Sequence, residues 1–180
     1  DIVTDETNII TSATVSFDFS KKGYRLPTEA EWEFAARGGD PTSNVWKYAY
    51  AGLQTSKAPT DFENNESDED LELYAIYGGI DSDDIAVSDV GLKLPNTLGL
   101  FDMSGNDYEW CYDFFNADAT TDDDLYTNSD GYLVNPSGPS SGIVHVRRGG
   151  CWHSRAKYTA VSFRCESEDN ASIRLVRTIE

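Results

Sequence analysis

The densest chemistry in this sequence lies in residues 149–165, GGCWHSRAKYTAVSFRC, which hold two of the three cysteines, Cys151 and Cys165, and one of the two histidines, His153. Cys151 and His153 sit two positions apart, so on an extended backbone they share a face, as a thiol and its general base would. A working pair also needs a group that orients the imidazole and donors for an oxyanion, and no nearby residue marks either. With only His145 and His153 in the chain, a histidine-rich metal site cannot be assembled, and a lone histidine ordinarily serves as a surface hydrogen-bonding group. Three cysteines are too few and too scattered for a disulfide framework; a Cys151–Cys165 bridge would leave Cys111 over. A third reading of the stretch is a surface built to touch something else.

A second constellation is made of oxygen. In FDMSGNDYEW, residues 101–110, the acids Asp102, Asp107 and Glu109 crowd around Gly105, where a tight turn lets backbone carbonyls face inward. Calcium wants six to eight such oxygens. The competing reading is that Asp102 and Glu109 cap turns or pair with buried arginines such as Arg148. The acidic run Asp81, Ser82, Asp83, Asp84 fits a second cation site poorly.

These residues must be positioned by surrounding elements. In YRLPTEAEWEFAARGG, residues 24–39, Thr28 and Glu31 have capping-box spacing. Trp32, Ala35 and Ala36 form an apolar stripe at helical spacing, and Gly38 and Gly39 supply a left-handed stop, so a helix of two to three turns is expected. Alternation predicts strands at 14–20 (Val15, Phe17, Phe19), at 142–150 (Val144 and Val146 opposite His145 and Arg147) and near 173–179. Acidic runs at 61–70, 81–84 and 118–130 read as solvated loops. LYAIY and LGLFDM read as brief strands or buried loop anchors. No repeat or linker divides the 180 residues, so one α+β domain over 1–180 with much irregular structure is expected.

Composition narrows the partners. Fourteen basic against 32 acidic residues give a net charge of −18, which repels phosphate backbones and anionic lipids and argues against nucleic acid. No apolar run approaches the roughly 18 residues of a membrane span.

Four blocks in this order, YRLPTEAEWEFAARGG, PNTLGLFDMSGNDYEWCYD, VRRGGCWHS and SFRCESEDNASIRLVR, resemble the formylglycine-generating-enzyme (sulfatase-modifying factor) family. The resemblance runs from about Gly23 to Arg177 and implies a variant of the C-type lectin fold. In oxidising members a cysteine pair follows the Gly-Gly of this motif and serves copper and thiol chemistry. Those places fall at Ser154 and Thr159 here, and neither hydroxyl replaces a soft, redox-active thiolate. Where family members hold calcium, the ligands match Asp102, the Gly105 and Asp107 carbonyls, and Glu109, so calcium is the one cofactor the resemblance suggests and none is required.

The chain also resembles the variable proteins of diversity-generating retroelements, of the spirochaete (Treponema) type, which use this fold without catalysis. There a reverse transcriptase miscopies template adenines and rewrites codons near the C-terminus. AAC codons altered in this way reach His, Ser, Arg, Tyr, Phe and Cys, the types found at His153, Ser154, Arg155, Tyr158, Phe163 and Cys165, and Cys151 is one adenine change from AGC. The resemblance implies a variable segment within 147–177. Its ligand-binding residues would be Cys151, His153, Ser154, Arg155, Lys157, Tyr158, Phe163, Cys165, Glu166, Ser167 and Glu168. His153, Arg155, Lys157, Tyr158, Phe163, Glu166 and Glu168 are expected to point outward. Trp32, Trp110, Trp152, Ala156, Val161 and Gly149-Gly150 are expected to fix the backbone. For Tyr158 and Phe163 the competing reading is core packing, and for Lys157, Glu166 and Glu168 it is simple solvation. The ligand would be a protein or a glycan. The resemblance places the chain on a bacterial surface or outer membrane through a lipid anchor upstream of Asp1. The alternatives in the same family are an oxidase with displaced cysteines and a structural envelope lipoprotein.

Overall fold

Thr28 sets the fold's best-defined element. In the computed structural model, which describes residues 2–4, 10–13, 18–55, 68–78, 86–115, 136–139, 141–166 and 170–178, helix α1 spans Glu29–Ala36. Thr28 Oγ1 accepts from Glu31 N at 3.2 Å and the Glu31 carboxylate accepts from Thr28 N at 2.9 Å, so two donors that the first turn would strand are satisfied reciprocally. Gly38 and Gly39 leave the helix at φ 89° and 74°, and a Cβ at Gly38 would stand 2.2 Å from Thr97 Oγ1. Both ends follow the sequence expectation.

The buried face of α1 meets a two-stranded antiparallel sheet. Strand β4 (Glu109–Phe114) pairs with β5 (His145–Arg148), with Glu109 opposite Arg148 and Trp110 opposite Arg147. Burial along β4 alternates with period two, and the inward residues are Glu109, Cys111 and Asp113. Two of the three are acids, and each is matched from α1: Trp32 Nε1 donates to Glu109 at 2.7 Å and Glu29 N donates to Asp113 at 2.6 Å. Trp32, Ala36, Ala51, Met103, Cys111, Val146 and Val161 fill the space between. The expected alternation of β5 is not kept. Val146, Arg147 and Arg148 are all buried, because the chain covers both faces of this short strand.

A second cluster of Tyr50, Leu53, Leu71, Ala75, Tyr77, Ala156 and Ala160 lies beside short helix α2 (Glu69–Glu72). This helix interrupts a run read as solvated loop. Asp68 caps it by accepting from Leu71 N at 3.0 Å, and fully buried Leu71 anchors it.

Contacts group the chain into two compact units, residues 26–174 and residues 1–25 with 175–180. The second unit forms because terminal strands pair with each other: β1 (Ile2–Thr4) with β2 (Ile10–Ala13), and β3 (Gly23–Arg25) with β6 (Val176–Thr178), all antiparallel. The strand expected at 14–20 is not formed at its end, where Asp18 Oδ1 accepts from Ser20 N and Oγ in a turn, and residues 14–17 lie outside the described set. Most of the acidic runs at 61–70 and 81–84, and all of 118–130, also lie outside it. The observed class is α+β with short elements and long irregular connections.

Candidate functional site

The segment after Gly149-Gly150 is held by its backbone. Both glycines adopt φ in the left-handed region, 91° and 73°, and a Cβ on Gly150 would sit 2.5 Å from the Tyr158 carbonyl oxygen. A side chain there would push the returning chain away. Trp152 N donates to Asn106 O at 2.9 Å, Gly78 N to Ser154 O at 3.2 Å, and Val161 N to Ala49 O at 2.8 Å. Arg147 and Cys165 exchange both backbone hydrogen bonds, at 3.1 and 3.0 Å. Between these points residues Ala156–Thr159 coil into a single 3-10 turn that buries Ala156 and Thr159.

Arg148 completes the fixing. Its guanidinium is fully buried over the Trp32 ring and donates to the carbonyls of Val161, Ser162 and Phe163 at 2.7, 3.1 and 3.0 Å. It is charge-balanced by Glu29, 3.4 Å away, and by Glu33. Arg164 lies on the other side of Glu29 and grips that carboxylate at 2.6 and 2.8 Å. Charge-assisted, forked contacts of this kind impose geometry as well as energy. The expected fixing residues Trp32, Ala156 and Val161 are buried, and Trp110 and Trp152 are half-buried. Arg147, Arg148 and Asn106 were not anticipated as fixing residues. Asn106 carried a signal, since Asn beside Gly favours the left-handed region, and its φ is 66°.

Side chains divide around this backbone. His153 and Glu166 are exposed, while Arg155, Lys157, Tyr158, Phe163 and Cys165 are half-buried. The Tyr158 and Phe163 rings touch at a centroid distance of 4.9 Å, and Phe163 also packs on the second cluster. For Phe163, core packing and surface display therefore coexist. Two proposed ligand residues need correction. Cys151 and Ser154 are 2% and 6% exposed, because both turn inward: Ser154 Oγ accepts from Cys151 N at 3.1 Å and lies 3.3 Å from Tyr108 Oη. They belong to the support and present nothing to a ligand. Ser167 and Glu168 lie outside the described residues.

The same geometry weighs the chemistry. Cys151 Sγ is 3.3 Å from His153 Nδ1, so the pair suggested by the sequence does meet. Burial, however, pushes the Cys151 thiol up, away from the nucleophilic thiolate, and among the described residues no acid orients His153. Burial also pushes Tyr108 up to about 12, which keeps its hydroxyl a neutral hydrogen-bonding group beside both thiols. Cys111, Cys151 and Cys165 are all free thiols. At the two places of the oxidising cysteines, Ser154 is engaged as above and Thr159 donates to Ala156 O at 2.9 Å, so neither offers a soft ligand.

The oxygen constellation is also committed elsewhere. Glu109 receives Arg174 through both oxygens, with Nε and Nη2 contacts of 2.6–3.1 Å, and Trp32 Nε1 as well. The pairing of Glu109 with an arginine is therefore real, but the partner is the half-buried Arg174 and not the buried Arg148. Asp107 accepts from Ser172 Oγ. Asp102 accepts from Gly91 N at 2.7 Å and keeps Oδ1 buried without a donor. Gly105 faces its carbonyl to Asp107 N at 3.0 Å. Among the described residues no three His, Cys, Asp or Glu side chains converge as a metal site. As arranged, Asp102, Gly105, Asp107 and Glu109 do not make a calcium cage.

Comparison with known proteins agrees with this architecture. The model of the sulfatase-modifying factor enzyme 1-like domain matches residues 7–179. The structure of Treponema denticola variable protein 1 superposes with a TM-score of 0.61 at 34% identity, covering 83% of this chain and 44% of that one. A formylglycine-generating enzyme from Thermomonospora curvata is 29% identical over 154 residues, 83% of this chain and 46% of the enzyme. Serine/threonine-protein kinase pkn1 of Chlamydia pneumoniae is 36% identical over 133 residues, 73% of this chain but only 16% of the kinase. The chain thus spans less than half the length of each of these relatives.

Proposed function

We propose, for a chain that belongs to the family of sulfatase-modifying factor enzyme 1-like domains, a non-catalytic role: it binds ligands through the outward side chains of residues 153–166. The observation that carries this reading is the division of labour in the segment. Its course is set by glycines, by backbone hydrogen bonds and by the Arg148 guanidinium on three carbonyls. His153, Arg155, Tyr158 and Glu166 contribute little to that course, so their identities are free to follow a ligand. Arg and Tyr are the residue types that carry binding energy at such surfaces. On the likeness to a variable protein, the segment is diversified by a retroelement, the chain is displayed on a bacterial surface through a lipid anchor, and the ligand is a protein or a glycan. The family also includes oxidising enzymes, and against that role stand the buried hydroxyls of Ser154 and Thr159 and the protonated thiol of Cys151.

Two measurements test it. A variant carrying His153→Asn, Arg155→Ser, Tyr158→Ser and Glu166→Ser is compared with the native chain on a panel of purified extracellular proteins and glycans. The expected result is at least one ligand held by the native chain and lost by the variant. The gene neighbourhood is expected to contain a near-copy of the segment coding for 147–177, with AAC codons at the outward positions, beside a reverse-transcriptase gene. Copper-dependent thiol oxidation that disappears on Cys151→Ser would refute the proposal.

A further inference from the structure

Ala30, Glu33, Phe34 and Arg37 have helical spacing that sets them on one face of α1 and its C-cap, and they line a groove of about 360 Å3. Trp46, from the 3-10 turn Asn44–Lys47, faces them, and Ser162 and Arg164 close one end. The volume falls within the usual range for ligand pockets. The groove meets residues 153–166 only at Ser162 and Arg164, neither of which is among the side chains proposed to bind there.

Phe34 is 45% exposed in this groove, yet it is braced. Its ring meets Trp46 edge-on, with centroids 5.6 Å apart and planes at 65°. Arg37 holds Trp46 in turn: its guanidinium lies 5.9 Å from the ring centroid and donates to the Trp46 carbonyl at 2.9 Å. Glu33 accepts from Arg37 Nε at 2.7 Å. The aromatic surface is thus fixed before anything binds, which lowers the cost of ordering it. The charges around it are matched, Glu29 by Arg164 and Arg148, and Glu33 by Arg37 and Arg148. What stays open is a ring and hydrogen-bonding capacity. Each Glu33 oxygen takes one guanidinium and keeps a lone pair, with the side chain one-third exposed. Ser162 is exposed, and its hydroxyl has no partner among the described residues.

We infer that this groove binds a neutral pyranose, one C–H face of the sugar lying on the Phe34 ring and its hydroxyls shared between Glu33 and Ser162. The chemistry selects this occupant. A pyranose with equatorial hydroxyls presents weakly positive C–H bonds on its faces, which suit the negative face of an aromatic ring. Its rim consists of hydroxyls, each a donor and an acceptor, which a carboxylate and a serine satisfy together. An anionic ligand would meet guanidiniums already engaged, in a chain of net charge −18. A cationic ligand would compete with Arg37 for both Glu33 and the Trp46 ring. A purely apolar ligand would cover Glu33 and Ser162 without pairing them. No metal enters the contact.

The test uses the full chain in EDTA and chemical-shift mapping of amides and indoles. The probe is methyl β-glucopyranoside, compared with cyclohexanol, with the methyl glucuronide and with a proline-rich peptide. The glucoside is expected to give saturable shifts at Phe34, Arg37, the Trp46 indole and Ser162, in the roughly millimolar range open to so small a ligand. The variant carrying His153→Asn, Arg155→Ser, Tyr158→Ser and Glu166→Ser is expected to keep the same affinity, since this groove stands apart from the outward face. Phe34→Ser should weaken binding by about tenfold through loss of the ring, while Phe34→Tyr keeps the ring and should stay within about twofold. If Phe34→Ser fails to fold, Ser162→Ala leaves the aromatic surface intact and should weaken binding by about threefold, the loss of one neutral hydrogen bond. Cyclohexanol giving the same shifts, the glucuronide binding more tightly, the peptide shifting these residues where the glucoside does not, or Phe34→Ser binding unchanged would each overturn the assignment. Shifts confined to 153–166 would end this proposal and leave that of the outward face standing.

Discussion

The buried side of helix α1 and the outward side of residues 153–166 use similar residue types in opposite ways. Arg148 is fully buried, pairs with two glutamates and donates to three carbonyls. Arg155, seven positions on, is half-buried and its side chain makes no hydrogen bond among the described residues, with Nε buried and unsatisfied. Glu29 is buried between two arginines, and Glu166 is exposed. In the first region side chains determine where the backbone goes. In the second the backbone is already determined, and side chains such as His153, Arg155 and Glu166 add little to it. One loop can therefore hold its shape while its surface chemistry changes.

The strongest way to break that contrast is to remove the residue that enforces it. Arg148→Met keeps the stem over Trp32 but deletes five polar contacts and takes the guanidinium donor from three carbonyls, while Glu29 keeps Arg164 and Glu33 keeps Arg37. Removing one partner of a buried ion pair costs about 3–5 kcal/mol. Chemical denaturation should show a loss of that size. A loss below about 1 kcal/mol, the value of an exposed pair, would mean the segment is not held from beneath.

This asymmetry also explains what the sequence disclosed. The Thr28–Glu31 capping box, the Gly38-Gly39 stop and burial of Trp32 were legible because each depends on neighbours within a few positions. The outward placement of His153 was legible from the Gly-Gly turn and the family pattern. Glu109 with Arg174, 65 positions apart, and Arg164 with Glu29, 135 apart, were not legible, since only the folded topology decides which charges meet. The inward turn of Cys151 and Ser154 was missed for a related reason. It is produced by Tyr108 and by a turn at 151–154, and nothing in the residues Cys-Trp-His-Ser separates an inward serine from an outward one. α2 was missed because a single buried leucine, Leu71, rescues an acidic run from being loop.

A smaller effect tests the buried charges through pH. Asp113 lies under α1 with Oδ2 on Glu29 N and Oδ1 without a partner, and burial raises its carboxyl from 3.8 to about 6, with the nearby Glu29 carboxylate adding to the rise. The folded state therefore binds a proton more tightly than the unfolded chain. The stabilisation is fully present below the unfolded value of 3.8 and is lost as pH rises through about 6. Across that window this group contributes on the order of 2–3 kcal/mol. Asp113→Asn cannot titrate, so it should remove this part of the difference between urea midpoints at pH 5 and pH 7.5. An unchanged pH profile would show that the carboxyl is solvated and that α1 does not rest on a buried acid.

The smallest predicted effect on stability carries the most information about function. Arg155 occupies the N-cap of the 3-10 turn Ala156–Thr159, with φ −66° and ψ 152°, yet its side chain makes no capping bond. Serine is a preferred residue in that backbone geometry, and Arg155→Ser also removes the buried, unsatisfied Nε. The substitution should leave the thermal midpoint unchanged or raise it, by up to about 1 kcal/mol in stability. Such a result would mean that Arg155 adds nothing to the frame of this segment, as the proposed binding role requires. If Arg155→Ser instead destabilised the protein by as much as Arg148→Met, Arg155 would be part of the frame. The division between a held backbone and disposable side chains would then fail at its centre.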